Sequence, residues 1–170
     1  KMWGMMSPFA RGNEPNVARK DPGKGVVTLH HDHATRMDAT TLYECLWLRS
    51  AVFNGEQQCT EPDLDGRELE PTTVLVWASV DGHPVGTLRI LDDDDHIVIG
   101  RVVVDDDHRG LHIGRRMLDL ALELACAADK EITLHAQSYL ENWYGDFGFV
   151  VTGPHFDEAG IDHVPMTLGR

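Results

Sequence analysis

One stretch limits the possible folds more than any other. From Arg101 to Arg116 the chain reads Arg-Val-Val-Val-Asp-Asp-Asp-His-Arg-Gly-Leu-His-Ile-Gly-Arg-Arg, an apolar β-branched run that passes through a polar turn into a helix start. From about Gly114 to Ala128 that helix carries Met117, Ala121, Leu124 and Ala128 on one stripe, with Arg115, Arg116, Asp119 and Glu123 opposed. A helix N-terminus offers N–H donors without intrahelical partners and a partial positive charge, a combination suited to a pyrophosphate. Gly110 and Gly114 let backbone and ligand approach closely, and Arg109, Arg115 and Arg116 add charge. Taken alone, a strand, turn and helix with two glycines is more often plain architecture.

The chain around this segment has 170 residues, 42% apolar and 25% charged, the size and composition of one globular core. A chain of this length removes roughly 70% of its unfolded surface from water, so it needs no disulfide or metal staple. Cys45, Cys59 and Cys126 make no paired framework and point to a reducing compartment. No apolar run approaches the ~20 residues of a membrane span, and no secretory leader pattern is present, so the expected location is the cytoplasm. The formal charge of −13 repels polyanions and argues against nucleic acid as a partner, while it favours cationic molecules such as amines. Residues 1–24, rich in Pro, Gly and mixed charge, are expected to form a flexible N-terminal arm or expression remnant, with the folded domain at 25–170.

Along the domain, Val26, Val27 and Leu29 open a first strand, and Asp38 caps a helix over about 39–53. Residues 54–71 read as a long polar loop. Thr73–Val80 and Pro84–Leu91 are strands joined by the hairpin dipeptide Asp81-Gly82, and the Asp92–Asp95 turn leads to a third strand, His96–Val104. After the long helix come a strand at Ile132–Ala136, a capping box at Ser138–Glu141 opening a helix that Gly148 closes, and strands at Phe149–Phe156 and His163–Leu168. This order predicts a mixed α/β (α+β) sheet with helices on its faces.

Arg109 to Gly114 resembles the phosphate-binding motif of the GNAT superfamily of N-acetyltransferases, with His112 where the family usually has its first Gly. Leu134-His135-Ala136-Gln137 and Asn142-Trp143-Tyr144-Gly145-Asp146-Phe147-Gly148-Phe149 resemble the strand and short helix that close the family's cofactor cleft. Leu48–Phe53, Glu56-Gln57, Asp63–Gly66 and Ile99-Gly100-Arg101 add a likeness to the ElaA-like branch, over about Val26 to Leu168.

The resemblance implies a mostly antiparallel twisted sheet splayed at its centre, with acetyl-CoA as co-substrate and no metal. It implies a pantetheine arm along Val102, Val103 and Val104, and a pyrophosphate on the N–H groups of Arg109, Gly110, Leu111, His112, Ile113, Gly114 and Arg115, with Asn142 touching the cofactor. Because main-chain donors do this work, substitution of Leu111 or Ile113 is expected to matter less than a bulky residue at Gly114. Tyr144 occupies the family's general-acid position, and its neutral phenol can donate near pH 7. The strand before the loop, Ile97–Arg101, lacks the carboxylate many relatives use as a base. Glu56, after the first helix where acceptors enter, is the first choice, with His135, His155 and water as alternatives. Arg49 and Arg101 are expected as partners that orient an acidic group such as Glu56.

The expected activity is direct transfer of acetyl to a primary amine of a small molecule or protein, with homodimer formation left open. The alternative is a CoA-binding sensor or scaffold of the same fold without turnover. His30-His31-Asp32-His33 reads as surface histidines, although a metal-dependent hydrolase on that strand is a third possibility. Asp92–Asp95 and Asp105–Asp107 lack the glycine and terminal Glu of a calcium loop and read as solvated turns. Cys59 has no Cys-His pattern to make it a nucleophile.

Overall fold

The computed structural model describes residues 25–169; the arm expected at 1–24 lies outside them. In chain order the elements are β1 (Thr28–His33), α1 (Ala39–Ser50), β2 (Val74–Val80), β3 (His83–Asp92), β4 (His96–Val104), α2 (Ile113–Cys126), β5 (Glu131–Gln137), α3 (Glu141–Gly145), β6 (Phe149–Val151), β7 (Phe156–Glu158) and β8 (Ile161–Leu168). The strands form one eight-stranded sheet, ordered β1-β2-β3-β4-β5-β8-β6, with β7 also pairing with β8. Every pairing is antiparallel except β4 with β5, which run parallel because α2 carries the chain back across the sheet. Among the described residues no helix is long and apolar enough to cross a membrane.

Alternation along the strands divides the core between the two faces. Val76, Ala78, Leu88, Ile90, Ile97 and Ile99 pack against Ile113, Met117, Leu118 and Ala121 of α2. On the opposite face Leu75 joins Ala34 and Cys45, while Val103 joins Leu48 and Val52 beside α1. The close approach of α2 to β3 depends on Gly86, where an added Cβ would lie 3.0 Å from Met117 Cε. Asp81 and Gly82 both take positive φ, 53° and 82°, so the expected hairpin is made by a turn whose twist matches its strands.

Three elements depart from the sequence expectation. The first helix is α-helical only to Ser50; Ala51–Glu56 continues as one wider π turn, closed by Gln57 N–H donating to Val52 O at 2.9 Å. The expected strand at 149–156 is interrupted over residues 152–155, leaving β6 and β7 on one edge of β8. Opposite the gap stands Pro165, whose carbonyl accepts from Thr152 N–H at 2.9 Å but which has no N–H to return. Before α3 a 3-10 turn, Ser138–Leu140, replaces the capping box, and α3 starts at Glu141 without a side-chain cap.

Candidate active site

A β-bulge opens the sheet. Between the pairs Thr87↔Val103 and Arg89↔Gly100, Leu88 of β3 faces both Arg101 and Val102 of β4, and Arg101 adopts a left-handed φ of 54°. Such an insertion bends its strand and sharpens the twist. Parallel pairing of β4 with β5 stops at Val98↔Thr133, and beyond it β5 pairs only with β8. The edge of β4 from Ile99 to Val104 is therefore free of a strand partner on the β5 side. A cleft of about 760 Å³ fills the opening, lined by Gly100–Val104, by Arg109, Gly110 and Gly114, and by Leu140, Trp143 and Tyr144.

At one end of the cleft α2 begins. Arg116 N–H makes the first bond back into the turn, to His112 O at 3.0 Å, so the N–H groups of Ile113, Gly114 and Arg115 have no intrahelical acceptor. Neither a side-chain cap nor an acidic residue in the first turn offsets their positive end, although the chain as a whole is strongly acidic. His112 makes the turn as an L-residue, at φ 58° and ψ 21°, two positions after Gly110 at φ 83°. Nothing lies within 4 Å of where a Gly110 Cβ would stand, whereas one at Gly114 would meet Trp143 at 3.5 Å. The start of α2 thus meets the cleft at Gly114, beside the Trp143 indole.

The other end rests on a buried charge network. Arg49, fully buried, donates to Asp63 through Nε at 3.0 Å and to Glu68 through Nη1. Arg89 bonds Asp65 at 2.8 and 2.9 Å and Glu68 at 2.9 Å. Arg101 Nε lies 2.8 Å from Asp63 Oδ1, and its Nη2 donates to the Asp63 carbonyl at 3.2 Å. Three cations thus face three carboxylates. Burial pushes the Glu68 carboxyl up, but Arg49 and Arg89 outweigh it and hold the group below its ordinary range; Asp65 is held down in the same way by Arg89. This network clamps the 57–70 loop to the sheet. Next to it the π turn sets Phe53 and Gln57 into the cleft wall, where Gln57 Oε1 accepts from Gln137 Nε2 of β5 at 2.8 Å.

Of the residues expected from sequence, Val102, Val103, Val104, Arg109, Gly110, Gly114 and Tyr144 line the cleft. The Tyr144 ring is buried against Trp143 and Phe149, and that burial pushes its phenol pKa up, keeping the proton on the oxygen. Leu111 is exposed at the rim, and Ile113 turns into the core at 1% exposure, so replacing Ile113 disturbs packing more than the sequence implied. The Arg115 guanidinium sits 4.7 Å over the Phe147 ring rather than in the cleft, and the Asn142 side chain is outside the lining, where Trp143 stands instead.

Glu56 does not reach the cleft either. Its carboxylate accepts from Arg109 Nη2 at 2.7 Å on the surface, so neither Arg49 nor Arg101 orients it. His155 pairs with Asp162 at 2.8 Å, away from the lining. His135 does line it, with Nδ1 3.2 Å from Glu158 Oε1; that bond raises the His135 pKa and lowers that of Glu158. Glu158 and His163, absent from the sequence expectation, complete the wall. Their position beside the Asp157–Gly160 turn was the available clue. On β1, His30 Nε2 lies 2.8 Å from Ser79 Oγ and its ring stacks on Trp77; among the described residues no group of three or more His, Cys, Asp or Glu is placed to hold a metal.

Residues 40–169 match the model of the acetyltransferase (GNAT) domain. The chain is 37% identical to Protein ElaA of Escherichia coli over 145 residues, 81% of this chain and 92% of that protein. The crystal structure of Escherichia coli ElaA superposes with a TM-score of 0.80 at 32% identity, over 85% of this chain and 100% of that one. A crystal structure of an acyl-CoA N-acyltransferase from Pseudomonas aeruginosa gives the same TM-score and identity over the same shares. A strand splayed from its neighbour beside an uncapped helix start, together with these likenesses along most of the chain, shows that this protein belongs to the GNAT acetyltransferase family, in its ElaA-like branch.

Proposed function

We propose that the chain transfers acetyl from acetyl-CoA directly to a primary amine. The observation that carries this reading is the free edge of β4 at Ile99–Val104 leading straight to the uncapped N-terminus of α2. The residues fit the cofactor: the edge of Val102–Val104 would hold the amide-bearing pantetheine arm, and the N–H groups of Ile113, Gly114 and Arg115 would hold the diphosphate. Bound acetyl-CoA would supply an activated acyl group, its C–S bond breaking as the C–N bond to the acceptor forms. Tyr144 holds a proton at its phenol oxygen in the same cleft, available to the departing sulfur. Trp143 and Leu140 cover the wall beside it and limit water.

Coenzyme A is expected to raise the melting temperature of the full chain, by an amount equivalent to about 2.7 kcal/mol when it is present at a hundred times its dissociation constant. Tyr144→Phe keeps the ring and its packing; turnover on an amine panel is expected to fall about 100-fold or more, as loss of a general acid does, with coenzyme A binding unchanged. Thermal stability indifferent to coenzyme A at millimolar concentration would overturn the reading. Tight binding without thiol release for any amine at any pH would favour the sensor or scaffold instead, for which the absence of a carboxylate on β4 is the motive.

A further inference from the structure

The acyl-transfer reading leaves open what receives the amine, and the β7–β8 hairpin carries an arrangement that answers it. Glu158 ends β7 opposite Ile161, and the two-residue turn between them, Ala159-Gly160, has φ of 54° and 84°, a tight hairpin that fixes both flanking side chains. His163 follows on β8, 7% exposed, its ring stacked on Phe156. Its Nδ1 lies 2.7 Å from Ile161 O, and since a carbonyl only accepts, Nδ1 carries the hydrogen. In the neutral ring Nε2 is then a bare acceptor. It faces Glu158 Oε2 at 3.6 Å, beyond hydrogen-bond length, while Glu158 Oε1 is engaged by His135 Nδ1 at 3.2 Å.

With the ring neutral, two acceptors therefore confront each other across a gap that a bridging donor completes, and a primary ammonium brings one with a charge opposite to that of Glu158. Arg101 pairs with Asp63 at 2.8 Å and Asp65 at 3.6 Å, and its charge adds to that of His135 in holding the Glu158 carboxyl down, so Glu158 stays ionised without a direct partner on Oε2 other than His163. Glu158 and His163 also line both the main cleft and a side cavity of about 130 Å³ that continues past Cys59, Glu61 and Ala159. The gap thus stands at the junction of the two spaces, on the side of the cleft away from α2.

We propose that Glu158 and His163 seat the ammonium group of a primary amine acceptor, and that His163 Nε2 takes its proton. The N–H bond that breaks leaves its electron pair on the amine nitrogen, which becomes the nucleophile; the proton forms an N–H bond on His163, and the imidazolium rests between Glu158 and the Ile161 carbonyl. His135 is a positioning residue that holds the carboxylate in place. The side cavity gives the acceptor's chain room to extend beyond its reacting end. This inference rests on the amine-acylating reading.

The test follows the imidazole signal of His163, assigned by its loss in His163→Gln, in carbon–proton NMR spectra of the full chain titrated with butylammonium chloride at constant ionic strength. Tetramethylammonium chloride, equally charged but without an N–H, is the control. The signal is expected to move saturably with butylammonium and not with tetramethylammonium, and Glu158→Gln is expected to weaken the response about tenfold or more, equivalent to a loss of at least one decade in affinity. Equal responses to both cations, or a silent His163, would overturn the assignment. Thermal stabilisation by coenzyme A is measured on the same samples. If it persists while His163 stays silent, this inference alone falls; if it is absent, the acyltransferase reading falls with it.

Discussion

Replacing Arg49 by Met tests the buried charge network directly. The guanidinium is fully buried and is shared between Asp63 and Glu68, so its loss leaves three carboxylates, Asp63, Asp65 and Glu68, with only Arg89 and Arg101 to serve them. Methionine fills similar space without a charge, which makes the change mainly electrostatic. Breaking a buried pair by removing one partner costs about 3–5 kcal/mol. With a urea dependence of about 2 kcal/mol per molar, the unfolding midpoint is expected to fall by about 1.5–2.5 M near neutral pH. The sign of the pH effect follows from Glu68. Its folded pKa lies below its ordinary value of 4.5, so in the native protein it adds stability above that value which is lost as pH falls. The variant lacks much of that depression, so its deficit should shrink when the measurement is repeated at about pH 4. A midpoint shift under about 0.5 M, or a gap that stays constant between the two pH values, would refute the claim that charge balance anchors this loop.

Three further perturbations probe the fold around the cleft. His112→Gly relieves a left-handed L-residue but loosens the unfolded chain; the strain of about 1–2 kcal/mol against an entropy loss of about 0.4–1 leaves a small net gain in melting temperature, and His112→Val should lose stability. Gly86→Ala pushes a methyl against Met117 at 3.0 Å, and chemical denaturation should show a loss of about 1–3 kcal/mol. For the His135–Glu158 pair, the raised histidine pKa places its stabilising effect below its ordinary value of 6.5, to be lost as pH rises through the folded value; the lowered glutamate pKa places its effect above 4.5. Because both side chains are about half exposed, His135→Gln should cost only about 0.2–1 kcal/mol near pH 5.5 and nothing near pH 9, a difference that paired thermal melts resolve.

The sequence by itself determined whatever depends on neighbours along the chain. Periodicity marked α2 and the strands, Asp81-Gly82 marked its hairpin, and the residues around Arg109–Gly114 marked both the family and the strand that borders the cleft, because local backbone preference and side-chain period are written in adjacent residues. That an L-residue, His112, makes this turn was also legible, from the glycine missing there; its left-handed φ came from the structure. Tertiary structure decided the rest. That the Glu56 carboxylate pairs with Arg109, 53 positions away, rather than with Arg49 or Arg101 could not be read from sequence, and the partners of Arg49 and Arg101 are Asp63, Asp65 and Glu68. Glu158 and His163 carry no motif; the β7–β8 hairpin sets them side by side on the cleft wall, with Glu158 against His135 of β5. Charges act through space, with a strength set by separation and burial, and neither quantity exists until the sheet has brought distant strands together.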